Sequence, residues 1–121
     1  MSRFLLLMAE AGHFDAWDAA DDALRDRVVA DFQAFDRAVR ERGAVVGGEA
    51  LSRPETARTV RPAGADDVRP VTAGPFAETV EQLGGFYLVD VPDLAAAVEL
   101  ATLLPREYAV EVRECVDVPD F

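Results

Sequence analysis

Few side chains in this sequence can do chemistry, and their positions narrow what that chemistry is. Glu49 stands among small and apolar residues, Gly47-Gly48-Glu49-Ala50-Leu51. If that segment is extended, alternation puts Glu49 on one face with Val45, Gly47 and Leu51. A carboxylate turned into a dry cavity becomes a stronger base and can take a proton from a substrate. The competing reading is a hydrogen-bonded or ion-paired carboxylate that anchors the sheet. Glu78 lies in a polar segment bracketed by Gly74-Pro75 and Gly84-Gly85. It either reaches into a cavity mouth or caps a helical turn, where backbone N–H groups favour a carboxylate by roughly 0.3–1 kcal/mol. Glu49 and Glu78 are the catalytic candidates. His13 is the single histidine and follows directly on an apolar run. Imidazole is the side chain that ionises near neutrality, but a lone loop histidine with no visible partner is weak evidence of a site. Trp17, Phe76 and Tyr87 offer an apolar wall for a small ligand, or else serve as core or subunit contacts. The ligand-binding candidates are therefore His13, Trp17, Glu49, Phe76 and Glu78.

Other chemistries lack their residues. Asp15, Asp18, Asp21 and Asp22 have neither the glycine turn nor the closing glutamate of a calcium loop. One histidine and one cysteine do not furnish a zinc site. All 12 basic residues are arginine, so no lysine is present for a Schiff base or a phosphate loop. A GC-rich genome explains the absence of lysine without any functional cause. No glycine-rich nucleotide fingerprint occurs, and neither cofactor nor metal is expected. The formal net charge of −11 argues against nucleic acid and against anionic membrane surfaces. Cys115 is the only cysteine, so no intrachain disulfide exists and a cytoplasmic location is expected.

The elements that must position these residues follow from periodicity. At 121 residues, half of them hydrophobic, the chain is expected to form one domain over 1–121. Arg3 to Ala9 reads as a first strand, apolar at nearly every position, and Ala11 to Ala20 as a loop. A long helix is predicted from about Asp21 to Arg42, because Leu24, Val28, Phe32, Phe35 and Val39 recur at helical spacing. Ala44 to Leu51 and Thr56 to Arg61 read as strands, and Pro62 to Pro70 as a hairpin tip. Gly47-Gly48 inside a strand signals a bulge or a close backbone approach. A short helical turn over Ala77–Leu83 precedes a strong strand, Gly85 to Val91. Asp93 caps a second helix running to about Leu104, and Tyr108 to Val116 forms the last strand. The order β-α-β-β-α-β belongs to a ferredoxin-like α+β sandwich, an antiparallel sheet with two helices on one face.

Two helices cover only one face of such a sheet. The first strand and the Gly85–Val91 strand are apolar on both. A second copy of the chain, packed sheet to sheet, is the economical cover, so a homodimer is expected.

The segment Gly74-Pro75-Phe76-Ala77-Glu78-Thr79-Val80-Glu81-Gln82-Leu83-Gly84-Gly85-Phe86 resembles the signature of the YCII-related, or DGPF-domain, family. Further segments agree in order: Phe4-Leu5-Leu6-Leu7-Met8, Gly47-Gly48-Glu49-Ala50-Leu51 and Glu111-Val112-Arg113. The resemblance implies a dimeric α/β barrel. It also implies a small-molecule-binding dimer with a cleft at the barrel. A cofactor-free isomerase, lyase or dehalogenase acting on a small organic acid is implied by analogy, with Glu49 or Glu78 as base. A regulatory partner of an extracytoplasmic sigma factor is the third implied role. Two positions depart from the motif: Ala73 replaces its leading aspartate and Val80 its lysine. Some relatives carry a histidine on the first long helix; near Asp31 and Phe32 this chain has none.

Overall fold

The computed structural model describes residues 1–77 and 80–119. The apolar first segment forms β1 (Ser2–Ala11). Its side chains alternate between a buried set, Phe4, Leu6 and Met8, and a half-buried set, Leu5 and Leu7. A short helix α1 (His13–Ala19) follows, then the long helix α2 (Asp22–Arg42). The Asp21 carboxylate caps α2 by accepting from the Leu24 N–H at 2.8 Å. Strand β2 (Ala44–Ala50) leads into an excursion holding β3 (Arg58–Val60) and β4 (Val71–Ala73). The chain returns through β5 (Glu81–Val91), α3 (Leu94–Ala101) and β6 (Ala109–Glu114). Asp93 caps α3 through the Ala96 N–H, again at 2.8 Å.

Four strands make one antiparallel sheet in the order β2-β5-β1-β6. This is the ferredoxin-like arrangement. Strands β3 and β4 pair only with each other. The expected third strand, Thr56–Arg61, therefore exists as β3 but stands outside the main sheet, as one side of a projecting arm with β4 as the other. Helices α2 and α3 meet one face of the sheet. Phe35 and Val39 of α2 and Leu100 of α3 pack on Phe4, Leu6 and Val89 in a single core.

Two local expectations change. The Ala11–Ala20 loop contains helix α1, begun by the Ala16 N–H to Gly12 carbonyl bond at 2.9 Å. None of its residues is buried, so no apolar period marked it in the sequence. The expected turn over Ala77–Leu83 is in part the start of β5: Glu81, Gln82 and Leu83 pair with Ala11, Glu10 and Ala9. The ladder to β1 continues past an irregularity at Gly84 and carries these residues into the sheet.

The second sheet face is as apolar at its centre as the strand pattern predicted. Across the four strands, Gly47, Leu88, Leu5 and Arg113 form one row and Glu49, Phe86, Leu7 and Glu111 the next. Cross-strand partners share a face, so leucine and phenylalanine occupy the middle while charges stand at the edges. No helix among the described residues is long and apolar enough to cross a membrane.

Candidate functional site

The helix-covered face is filled at one end and hollow at the other. Where β1 and β2 finish and β5 begins, a cavity of about 710 Å³ opens between the sheet and helices α1 and α2. Glycines on the strands make this space. A Cβ at Gly84 would lie 2.6 Å from His13 Nε2, and one at Gly48 would lie 2.8 Å from Tyr87 Cδ1. Only a hydrogen at these positions lets an imidazole and a phenol ring lie flat against the backbone. The irregularity in β5 at Gly84 falls at this same end, whereas that in β2 between Val45 and Gly47 lies further back, opposite Leu88 and Val89. Of the Gly47-Gly48 pair, Gly48 makes the close approach, and the bulge falls just before Gly47, at Val46.

Aromatic side chains from separated segments make the walls. His13, Phe14 and Trp17 come from α1, Phe32 from α2, Tyr87 from β5 and Tyr108 from just before β6. The Phe32 ring lies 6.3 Å from Tyr87 and 6.2 Å from Tyr108, and His13 lies 5.4 Å from Tyr108. Leu51, Ser52 and Arg53 edge the opening.

His13 has a partner. Its Nδ1 lies 3.1 Å from Oε1 of Glu10 at the end of β1, and both side chains are largely buried. A carboxylate only accepts, so Nδ1–H donates, and in the neutral ring Nε2 is the basic nitrogen. Behind the pair is a second cavity of about 40 Å³, lined by Glu10, His13 and Tyr108 among others. Burial pushes the Tyr108 phenol up to about 12, helped by the charges of Glu10 and Glu107. Burial, then the charge of Asp36, also raises Tyr87. Both phenols therefore enter the cavity as neutral hydrogen-bond donors at physiological pH.

Arg53 has its guanidinium engaged. Nη1 donates to Asp15 at 3.2 Å, Nη2 bonds to Asp18, and the group lies over the Phe14 ring at 5.7 Å. The hydrogen bond to Asp15, opposed by some desolvation and supported by the charges of Asp18, Asp15 and Glu55, holds its pKa above the ordinary value. Arg25 of α2 donates to the Trp17 carbonyl at 2.8 Å and lies over the Trp17 ring at 5.1 Å. These two arginines tie α1 down over the cavity.

Of the residues singled out from sequence, His13, Trp17, Glu49 and Tyr87 line the cavity. Glu49 does so at the boundary. The bulge after Val45 breaks the simple alternation, so Val45 packs against the core while Glu49 pairs with Phe86 on the open sheet face. The expectation that Glu49 shares a face with Val45 is thereby corrected. Its carboxylate is exposed. Phe76 does not join this group: it is 79 % exposed, next to the arm. Glu78 lies outside the described residues. Sequence reasoning missed Glu10, Phe32, Arg53 and Tyr108. The i, i+3 spacing of Glu10 and His13 at a strand end was the available signal for the pair. Among the described residues, no three His, Cys, Asp or Glu side chains cluster as metal ligands would.

Comparison with known proteins agrees with this architecture. The model of the YCII-related domain matches residues 6–119. An uncharacterized protein of Rhizobium meliloti (strain 1021) is 37 % identical over 102 residues, spanning 81 % of this chain and 78 % of its own length. The family match runs from within β1 past the end of β6, and on it the chain belongs to the YCII-related domain family.

Proposed function

We propose that this protein binds a small, largely apolar organic molecule in the cavity between α1, α2 and the sheet. The observation that carries the reading is the cavity itself: about 710 Å³, walled by aromatic rings, with a few polar groups converging on it. That is the size and lining of small-molecule sites, and an empty space of this kind is unusual in a core otherwise packed to crystal density. The test is a fragment titration followed by NMR. Resonances of Trp17, Tyr87 and Tyr108 should shift together, and the variant Ala50→Trp, which plugs the space from β2, should abolish those shifts. Fragments that leave all three side chains unmoved would sink the reading.

The same proposal has the sheet's open face meet a second copy. The support is the pair of rows with Leu5, Leu7, Phe86 and Leu88 at their centre, an apolar patch of the kind that marks an interface. Light scattering should give twice the 13.1 kDa chain mass, and Leu7→Glu should halve it.

The His13–Glu10 pair favours a second reading, cofactor-free proton transfer, with His13 Nε2 as base and a neutral tyrosine as donor. Here the base moves from the expected Glu49 and Glu78 to His13. A bound fragment carrying an acidic C–H should exchange it for deuterium, and His13→Gln should stop the exchange while leaving binding intact. Exchange that survives His13→Gln would overturn this role.

A further inference from the structure

We infer that the cavity selects an organic cation, an ammonium or guanidinium carried on an apolar body, over a carboxylate of the same shape. The inference rests on the cavity-binding reading above and adds the charge of the ligand. Three independent observations point to it.

The first is the walls. Five aromatic residues line the space: Phe14, Trp17, Phe32, Tyr87 and Tyr108. Ring faces carry negative quadrupole density and attract cations within about 6 Å of the centroid. The protein already shows this attraction at two of them, since Arg25 lies over Trp17 at 5.1 Å and Arg53 over Phe14 at 5.7 Å.

The second is the charge nearby. Besides the two tyrosines, the ionisable residues on the lining, among those described, are His13, Arg53 and, at its boundary, Glu49. Glu10 bonds to His13, Asp15 and Asp18 bond to Arg53, and Arg25 bonds to the backbone at Trp17. Glu10, Asp15 and Asp18 therefore stand against two guanidiniums on this face, with Glu49 at the cavity's edge, on a chain of formal net charge −11. Low-dielectric walls focus such a field into a cleft.

The third is the condition of Arg53, the one cation on the lining among the described residues. It would be the natural clamp for a carboxylate ligand. Two of its nitrogens are already taken by Asp15 and Asp18. An anionic ligand would have to displace one of these and would meet the other as a like charge. Burial first, then the charges of Glu10 and Glu107, raise the Tyr108 phenol, so those two carboxylates act on the cavity wall.

The test uses three molecules that differ only in their head group: 3-phenylpropylammonium, 3-phenylpropanol and 3-phenylpropanoate. Each is titrated into the full chain at low ionic strength by calorimetry and NMR. The ammonium should bind at least ten-fold tighter than the carboxylate, with the alcohol between them. In Glu10→Gln the preference for the ammonium over the carboxylate should shrink several-fold. Equal affinity for all three, or tighter binding of the carboxylate, would overturn the charge assignment and leave cavity binding standing. Failure of all three to bind would bring down the cavity reading itself, and the charge assignment with it.

Discussion

The two ends of the helix-covered sheet face are built from the same strands to opposite effect. At one end, Phe4, Leu6, Val89 and Val91 meet Val39 and Leu100, and no space is left. At the other, a few residues further along the same strands, Met8, Gly48 and Gly85 meet Phe32 and Tyr108 across an empty volume. The difference lies in two substitutions of type. Branched aliphatic side chains give way to glycine on the strands, and rigid rings replace them on the helices and connections. Glycine takes the floor down and rings hold the roof up. A hollow made this way keeps its shape, because neither backbone nor aromatic plane collapses easily into it.

Breaking the filled end should have the largest effect. Phe35→Ala removes a fully buried ring at the centre of the core. Its expected cost is about 3–5 kcal/mol in urea unfolding, enough to unfold a large fraction of a marginal domain. The hollow end should tolerate more and lose function instead. Gly84→Ala places a methyl group 2.6 Å from His13 Nε2. The obstacle is a side-chain ring that can swing aside, so the cost should stay near 1–2 kcal/mol. The His13–Glu10 contact should be lost, visible as a change in the imidazole resonances. A Gly84→Ala protein as unstable as Phe35→Ala would show that the two ends are not independent.

How much of this was legible in sequence divides along the same line. Core segments announce themselves, because burial imposes a period: β1, α2 and β5 each carry one, and the sandwich and its open face follow from it. A cavity carries no period of its own. Phe32 reads as one more member of the α2 stripe, Tyr108 as the first residue of a strand, and Glu10 as the charge that ends an apolar run. Their convergence is a property of the tertiary fold. Helix α1, with no buried residue, left no apolar trace at all. The alternation rule mispaired Glu49 with Val45 because one bulge inverts every residue after it.

Two smaller effects sharpen the contrast. Arg25→Ala removes the hydrogen bond to the Trp17 carbonyl and the cation over its ring. The expected loss is about 1 kcal/mol, confined to α1. Amide exchange should quicken over 13–19 and stay unchanged in α3. The subtlest change is spectroscopic. The protein has two tyrosines, and both line the cavity. Each has a folded pKa raised above the ordinary value of 10, that of Tyr108 to about 12. The folded state thus holds these protons more tightly than the unfolded chain does. Their contribution to stability should be complete below pH 10 and should fade as pH rises from 10 towards 12. Absorbance at 295 nm should show less tyrosinate at pH 10 in the folded protein than in urea, where about half of each phenol is ionised.

The arm of β3 and β4 satisfies its own backbone. Arg61 N–H bonds to the Pro70 carbonyl at 2.7 Å, Gly74 N–H to Ala57 at 2.8 Å, and Thr59 Oγ1–H to Gly74 at 2.7 Å. Among the described residues, neither of its strands pairs with the main sheet. An appendage that closes on itself is separable property: its length and composition can drift, or be replaced by a grafted peptide, without any strand of the body noticing. From Arg58 to Ala73 the chain thus has an interchangeable handle, and variation among relatives should pool there while the hollow stays constant.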